Sequence, residues 1–366
     1  MIVFVQPHLR FGGAERQTVS VANALSERGH DVAVVLHSGG GGLESTLRPE
    51  VELHVLGVDH HLATPEIARR LYAVLRRMPP SFVVVKLWSS ILACALIDRL
   101  PGARDHTYNY CEDLDPRDHA TYIALGRAKQ RLIGRVFRSR AHLTANTETV
   151  ASSMVDVYGL RRTPAVIPST IDTDEVRRLA AGSPQQRDDR FTVVSVGSLI
   201  ERKGLDRTWA ALQQLDRPVH WRVVGEGPLR TELEALRRRS GLVQVSIEGG
   251  HANPYGYMAA ADVLVHGARS EAWGIVLLEA MAVGTPVVAT GSIGPLEMQR
   301  ALGEQPDLMQ TVPLDDVDGL REAIERSAAT ARPALRSFDS YIAPFSVTRA
   351  TRMWEDRAAR LLGTSR

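Results

Sequence analysis

Residues 270–290 read SEAWGIVLLEAMAVGTPVVAT, from Ser270 to Thr290. The stretch opens in a loop, runs as an apolar helix, breaks at Gly284-Thr285-Pro286 and restarts as a short β-branched run. Glycine and proline so placed read as helix, loop, then strand. Another strand-like run, 262–266, stands just before it. Strand, helix and strand make a βα unit, and near-continuous Val/Leu runs suit parallel strands covered on both faces.

Outward from this unit the alternation repeats. Upstream, strands are predicted at 191–196, 220–224 and 243–247, and the last helix spans 347–362. The first half carries further candidates at 2–6, 32–36, 51–56, 82–85, 106–110 and 141–145. A chain of βα units implies an α/β fold with doubly wound parallel sheets. Residues 167–190 break the rhythm with IPSTIDTDEV, a short helix and then GSPQQRDDR, and are read as the connection between two domains.

Composition agrees with two domains in 366 residues. With 44% hydrophobic and 23% charged residues the chain has globular proportions, which excludes a disordered protein. A balance of 44 Lys+Arg against 42 Asp+Glu argues against a nucleic-acid binder that relies on a broad basic field. Two distant cysteines, Cys94 and Cys111, exclude a disulfide scaffold and a thiolate zinc site. The start, MIVFVQPH, carries no signal-peptide pattern, and charges or glycine-proline breaks interrupt the apolar stretches 82–100 and 275–294. The expectation is a cytoplasmic protein.

Four places combine glycine, charge and a strand end. Gly12-Gly13-Ala14-Glu15-Arg16 follows the first strand, where glycines and a helix N-terminus admit an anion; a plain tight turn explains it equally. Gly197-Ser198-Leu199-Ile200-Glu201-Arg202-Lys203-Gly204 ends the 191–196 strand, and two cations there suit a diphosphate, against a solvated charged loop. Gly225-Glu226-Gly227-Pro228 lacks the third glycine of a dinucleotide fingerprint, since Arg230 stands there, and reads as a structural turn. The strongest is the pair Glu271 and Glu279. Glu279 lies two turns into an apolar helix, so it needs a polar ligand, a cation or water, and the amides at Gly274 and Ile275 favour a phosphate. The alternative is one capping and one partly exposed glutamate.

Taken together these residues resemble the retaining glycosyltransferases of family 4. Glu271 and Glu279 look like the E-x7-E motif of that family, and SEAWGIVLLEAMAVGTPVVAT is close to its usual wording. GGAER, VIPSTID, VGSLIERKG, VVGEGP and Gly294-Pro295-Leu296-Glu297 resemble it in the expected order. The resemblance implies a GT-B fold, two Rossmann-like domains facing across a cleft. Residues 1–168 would form the acceptor-side domain, 169–345 the nucleotide-sugar domain, and 346–366 a helix crossing back to the first.

By motif match, Glu279 would bond the ribose hydroxyls and Glu271 the donor sugar. Gly274, Ile275 and Val276 would offer the helix start to sugar or phosphate, while Lys203 and Arg202 would neutralise the diphosphate. Gly250, His251 and Ala252 would hold the nucleobase. Gly13 and Ser198 complete the donor side; His8 and Gly12 belong to the acceptor side. The donor would be a UDP-sugar or GDP-sugar, with no cofactor and no metal, and the acceptor a hydroxyl on a secondary metabolite, small sugar or lipid-linked glycan. Retention would follow a front-face displacement in which the leaving diphosphate takes the acceptor's proton.

Two departures stand out. The family often has an arginine at Ser198, and Arg202 would substitute. It often has a histidine near residues 111–115, where Glu112 stands, either assisting an acceptor hydroxyl or serving as a plain loop carboxylate. Asp113-x-Asp115 and Asp172-x-Asp174 resemble a metal-binding D-x-D but are read as coincidence. Residues 126–140 form a basic amphipathic helix, with Arg127, Arg131, Arg135 and Arg138 on one face and Leu132, Ile133, Val136 and Phe137 on the other. Burial against the sheet is the favoured reading, and weak docking on anionic lipid the other. Two rival functions remain beside the transferase: a nicotinamide-dependent oxidoreductase and a non-catalytic nucleotide-sugar-binding relative.

Overall fold

The computed structural model describes residues 1–60, 63–123, 125–236 and 241–363. The chain divides into two units, one of Met1–Ser169 with Val347–Arg366, the other of Thr170–Ser346. The final three residues, 364–366, lie outside the described ones.

The first unit holds a parallel sheet of seven strands: β1 (Ile2–Gln6), β2 (Val32–Leu36), β3 (Glu52–Val55), β4 (Phe82–Val85), β5 (Thr107–Glu112), β6 (Leu143–Ala145) and β7 (Ala165–Val166). Their order is β3-β2-β1-β4-β5-β6-β7. All residues of β1, β2 and β4 are buried, as expected of parallel strands with helices on both faces. The last helix, Val347–Leu362, belongs to this unit and sets Trp354 and Ala358 into the cluster of Ile2, Phe4, Val34 and Phe82. Arg357 fastens it further, its Nε donating to Asn109 Oδ1 at 2.6 Å.

The second unit holds six parallel strands: β8 (Phe191–Val196), β9 (Val219–Val224), β10 (Val243–Gly249), β11 (Val263–His266), β12 (Val287–Thr290) and β13 (Met309–Val312), in the order β10-β9-β8-β11-β12-β13. The helix Ile275–Ala282 is buried along seven of its residues, Val276 to Ala282, between β11 and β12 in the chain. In each sheet the winding reverses once, at β1/β4 and at β8/β11. Open sheets of this kind bind ligands beyond the carboxyl ends of the strands at that reversal.

The short helix expected within residues 167–190 is Thr173–Ala181; it buries Val176 and Ala180 in the second unit's core, and the units part between Ser169 and Thr170. Two expectations need correction. β7 and β13 were not expected. One has only two residues and the other, Met-Gln-Thr-Val, lacks the branched apolar run that marks the rest. On the basic helix, now Gly126–Arg138, Ile133 and Phe137 are buried, but Leu132 is 48% exposed and Val136 only half-buried, so the apolar face is narrower than its pattern.

Candidate active site

In the second unit the β8/β11 reversal gathers the expected cations and carboxylate. After β8 the chain turns through Glu201–Lys203 and reaches Gly204 with φ +60°, a left-handed conformation that costs glycine little. A Cβ there would stand 1.8 Å from the Gly267 carbonyl oxygen, so only glycine lets the loop after β8 approach the loop after β11. The closeness puts Lys203 Nζ on Glu271 Oε2 in a part-buried ion pair, with Arg202 Nη1 4.0 Å from Glu271 Oε1. Arg202 also donates to the Ser270 carbonyl at 2.8 Å. Burial opposes the charge on Glu271, but Lys203, His266 and Arg202 outweigh it and hold its carboxyl well below the usual range.

His266, the last residue of β11, was missed by the sequence reading. It is 4% exposed, and its Nε2 lies 3.2 Å from Glu271 Oε2 without the alignment of a hydrogen bond. Burial lowers its pKa, the Glu271 carboxylate pulls it up, and the Lys203 and Arg202 charges push it down. A histidine ending a predicted strand five residues before Glu271 was the available signal.

Gly274 caps the helix Ile275–Ala282 with φ +86° and no side-chain bond, so the first amides, at Ile275 and Val276, meet no capping side chain. Glu279 lies on that helix, 4% exposed, and accepts a 3.0 Å hydrogen bond from the Tyr255 hydroxyl. Tyr255 is the second residue the sequence did not reveal, because a tyrosine in a short apolar helix reads as core. The same helix, Tyr255–Ala260, places the Tyr257 hydroxyl 3.2 Å from His251 Nε2. Gly250 and Ala252 flank His251 in the exposed loop after β10. Ser198 is exposed at the end of β8. The Gly225-Glu226-Gly227 turn packs its backbone on residues 197–199, where a Cβ at Gly225 or Gly227 would meet Gly197 or Leu199 carbonyl oxygens at 1.9 and 2.4 Å. It shapes the cationic loop.

The remaining predicted residues lie in the first unit. His8 follows β1, its Nδ1 3.4 Å from Glu15 Oε1. Gly12 precedes the helix Gly13–Glu27, and a Cβ there would sit 2.2 Å from Glu15 Oε2. Gly13 is exposed at the helix start. Glu112 is not a loop carboxylate: it ends β5, buried, with the Tyr158 hydroxyl donating to its Oε2 at 2.8 Å and His119 Nε2 3.6 Å away. Lys86 after β4 pairs with Asp113 at 3.2 Å, a charged group the sequence reading did not weigh. Burial disfavours its charge, but Asp113, Cys111 and Glu15 raise its pKa overall. Asp115 and Asp172 each cap a helix, at Arg117 N and Glu175 N, which gives both D-x-D pairs a local role.

Residues 177–305 match the family described as "Glycosyl transferases group 1", and residues 11–175 match "Glycosyltransferase Family 4". The chain belongs to the family 4 type of glycosyltransferase. A "Lipopolysaccharide core biosynthesis glycosyltransferase LpsE" of Rhizobium meliloti (strain 1021) is 29% identical over 351 residues, covering 93% of this glycosyltransferase and 94% of the relative. "Lipopolysaccharide glucosyltransferase WaaG" of Escherichia coli (strain K12) is 26% identical over 305 residues, 78% of each chain. The Anabaena Alr3699/HepE structure in complex with UDP-glucose aligns with TM-score 0.75 at 19% identity, covering 98% of this chain and 99% of that one. The fold is GT-B. Among the described residues, no helix is long and apolar enough to cross a membrane.

Proposed function

We infer that this glycosyltransferase moves a sugar from a nucleoside-diphosphate donor to a hydroxyl acceptor with retention at the anomeric carbon. The observation that carries the reading is the meeting of Lys203, Arg202 and Glu271 at the β8/β11 reversal, next to the uncapped helix that holds Glu279. Cations at that place neutralise a diphosphate, both bound and as it leaves. Glu279 suits the ribose hydroxyls, and Glu271 suits the sugar once its lysine is engaged elsewhere. Gly250, His251 and Ala252 would then frame the base, with Ser198 beside the phosphates.

In the proposed step the anomeric C–O bond to the diphosphate breaks as the acceptor oxygen bonds the same carbon from the same face. The acceptor's proton passes to a diphosphate oxygen. Glu112, with His8 and Gly12, is assigned to the acceptor side of the first unit. The names of the two relatives favour a saccharide hydroxyl of a lipid-linked glycan as acceptor. UDP-glucose is the first donor to try and GDP-mannose the second.

Thermal shift across a panel of nucleotide-sugars identifies the donor, because a ligand that binds only the folded state raises its melting point. NMR of the product's anomeric proton then reads the stereochemistry. An inverted product rejects retention, and a donor that binds with no transfer or hydrolysis returns the non-catalytic alternative.

A further inference from the structure

Glu271 Oε2 serves two neighbours at once. Lys203 holds it directly, while His266 Nε2 stands 3.2 Å away, buried and without a hydrogen-bond partner. A buried polar atom left poorly paired costs about 1–3 kcal/mol, so an imidazole nitrogen this close to a carboxylate oxygen yet misaligned with it calls for an explanation. The donor supplies one. A diphosphate competes for the Lys203 ammonium, and when that ammonium swings towards phosphate the buried Glu271 carboxylate loses its principal counter-charge. A buried carboxylate without compensation is strongly unfavourable. Burial is the largest influence against a charge on His266; of the charged groups that face it, Lys203 and Arg202 push the same way, while Glu271 favours the imidazolium. Drawing Lys203 away and adding a nearby anion both tip that balance towards protonation.

We propose that His266 is a positioning residue that takes over Glu271 when the donor's diphosphate draws Lys203 away, binding one proton from solvent as it does so. The carboxylate then keeps a charged partner on its Oε2 side and is held in one orientation towards the donor sugar. Donor binding is thereby coupled to proton uptake. This rests on the donor reading above, but its two tests separate the claims.

The first test is calorimetry on the full chain with UDP-glucose and with GDP-mannose, near neutral pH, in buffers of different ionisation heat. Neither ligand carries a phosphate group that titrates near neutrality. The wild-type protein is expected to take up about half to one proton per ligand bound, as for a histidine moved across neutrality. His266→Asn is expected to bind more weakly with no uptake. Binding without uptake in the wild type, or the same uptake in His266→Asn, overturns the proposal. Binding of neither ligand instead rejects them as donors, and the second test then decides alone. It follows the His266 imidazole by NMR in the ligand-free protein. Lys203→Met, or Lys203→Gln if that variant does not fold, must move its titration to higher pH. An unmoved or lowered titration overturns the proposal.

Discussion

The Tyr255 hydroxyl donates to Glu279 Oε1 at 3.0 Å, tying one short helix to the buried carboxylate of the next. Hydrogen bonds to a charged group contribute about 1.5–3 kcal/mol. Tyr255→Phe is therefore expected to lower stability by about that amount in urea unfolding, while nucleotide-sugar binding survives because Glu279 itself remains.

Gly204 should tolerate no side chain. Its φ of +60° and the 1.8 Å approach of a Cβ to the Gly267 carbonyl oxygen oppose any replacement. Gly204→Ala is expected to cost at least about 2 kcal/mol and to part Lys203 from Glu271. Its signature is a lower melting point together with weaker donor binding.

His37 gives the first unit a pH dependence. Burial, and next the charge on His8, push its pKa down to about 4 from the ordinary 6.5, with its Nε2 3.1 Å from Ser90 Oγ. The unfolded chain takes the proton more readily, so the contribution is fully present above pH 6.5 and is lost as pH falls towards 4. Comparing urea stability near neutrality with that near the lower end of this window, the wild type is expected to lose about 2–3 kcal/mol more than His37→Gln.

Asp98 anchors a buried pair, accepting from Arg140 Nη2 at 2.9 Å and from the Tyr110 hydroxyl at 2.5 Å. Its removal strands a largely buried guanidinium. Asp98→Ala is expected to cost about 3–5 kcal/mol, read by denaturant unfolding.

Much of this was legible in the chain. Val/Leu runs mark nearly every strand, and the Gly284-Thr285-Pro286 break placed the helix that carries Glu279. Lys203, Arg202 and Glu271 were visible because glycine and charge beside a strand end are local signals. His266 and Tyr255 were not, since each matters through a partner distant in sequence or through its own burial. Glu112 was misplaced by a residue or two: strand ends are set by pairing with β6, which local propensity does not encode. Leu132 shows the same limit, because an apolar position on a helix does not say how far its packing neighbours reach.

The most direct test of the account is calorimetric titration of the nucleotide-sugar selected by thermal shift into the wild type, Lys203→Ala and Glu279→Ala. Each folded variant is expected to bind roughly 10- to 100-fold more weakly, the loss of one charged hydrogen bond. Unchanged affinity in both folded variants would contradict it.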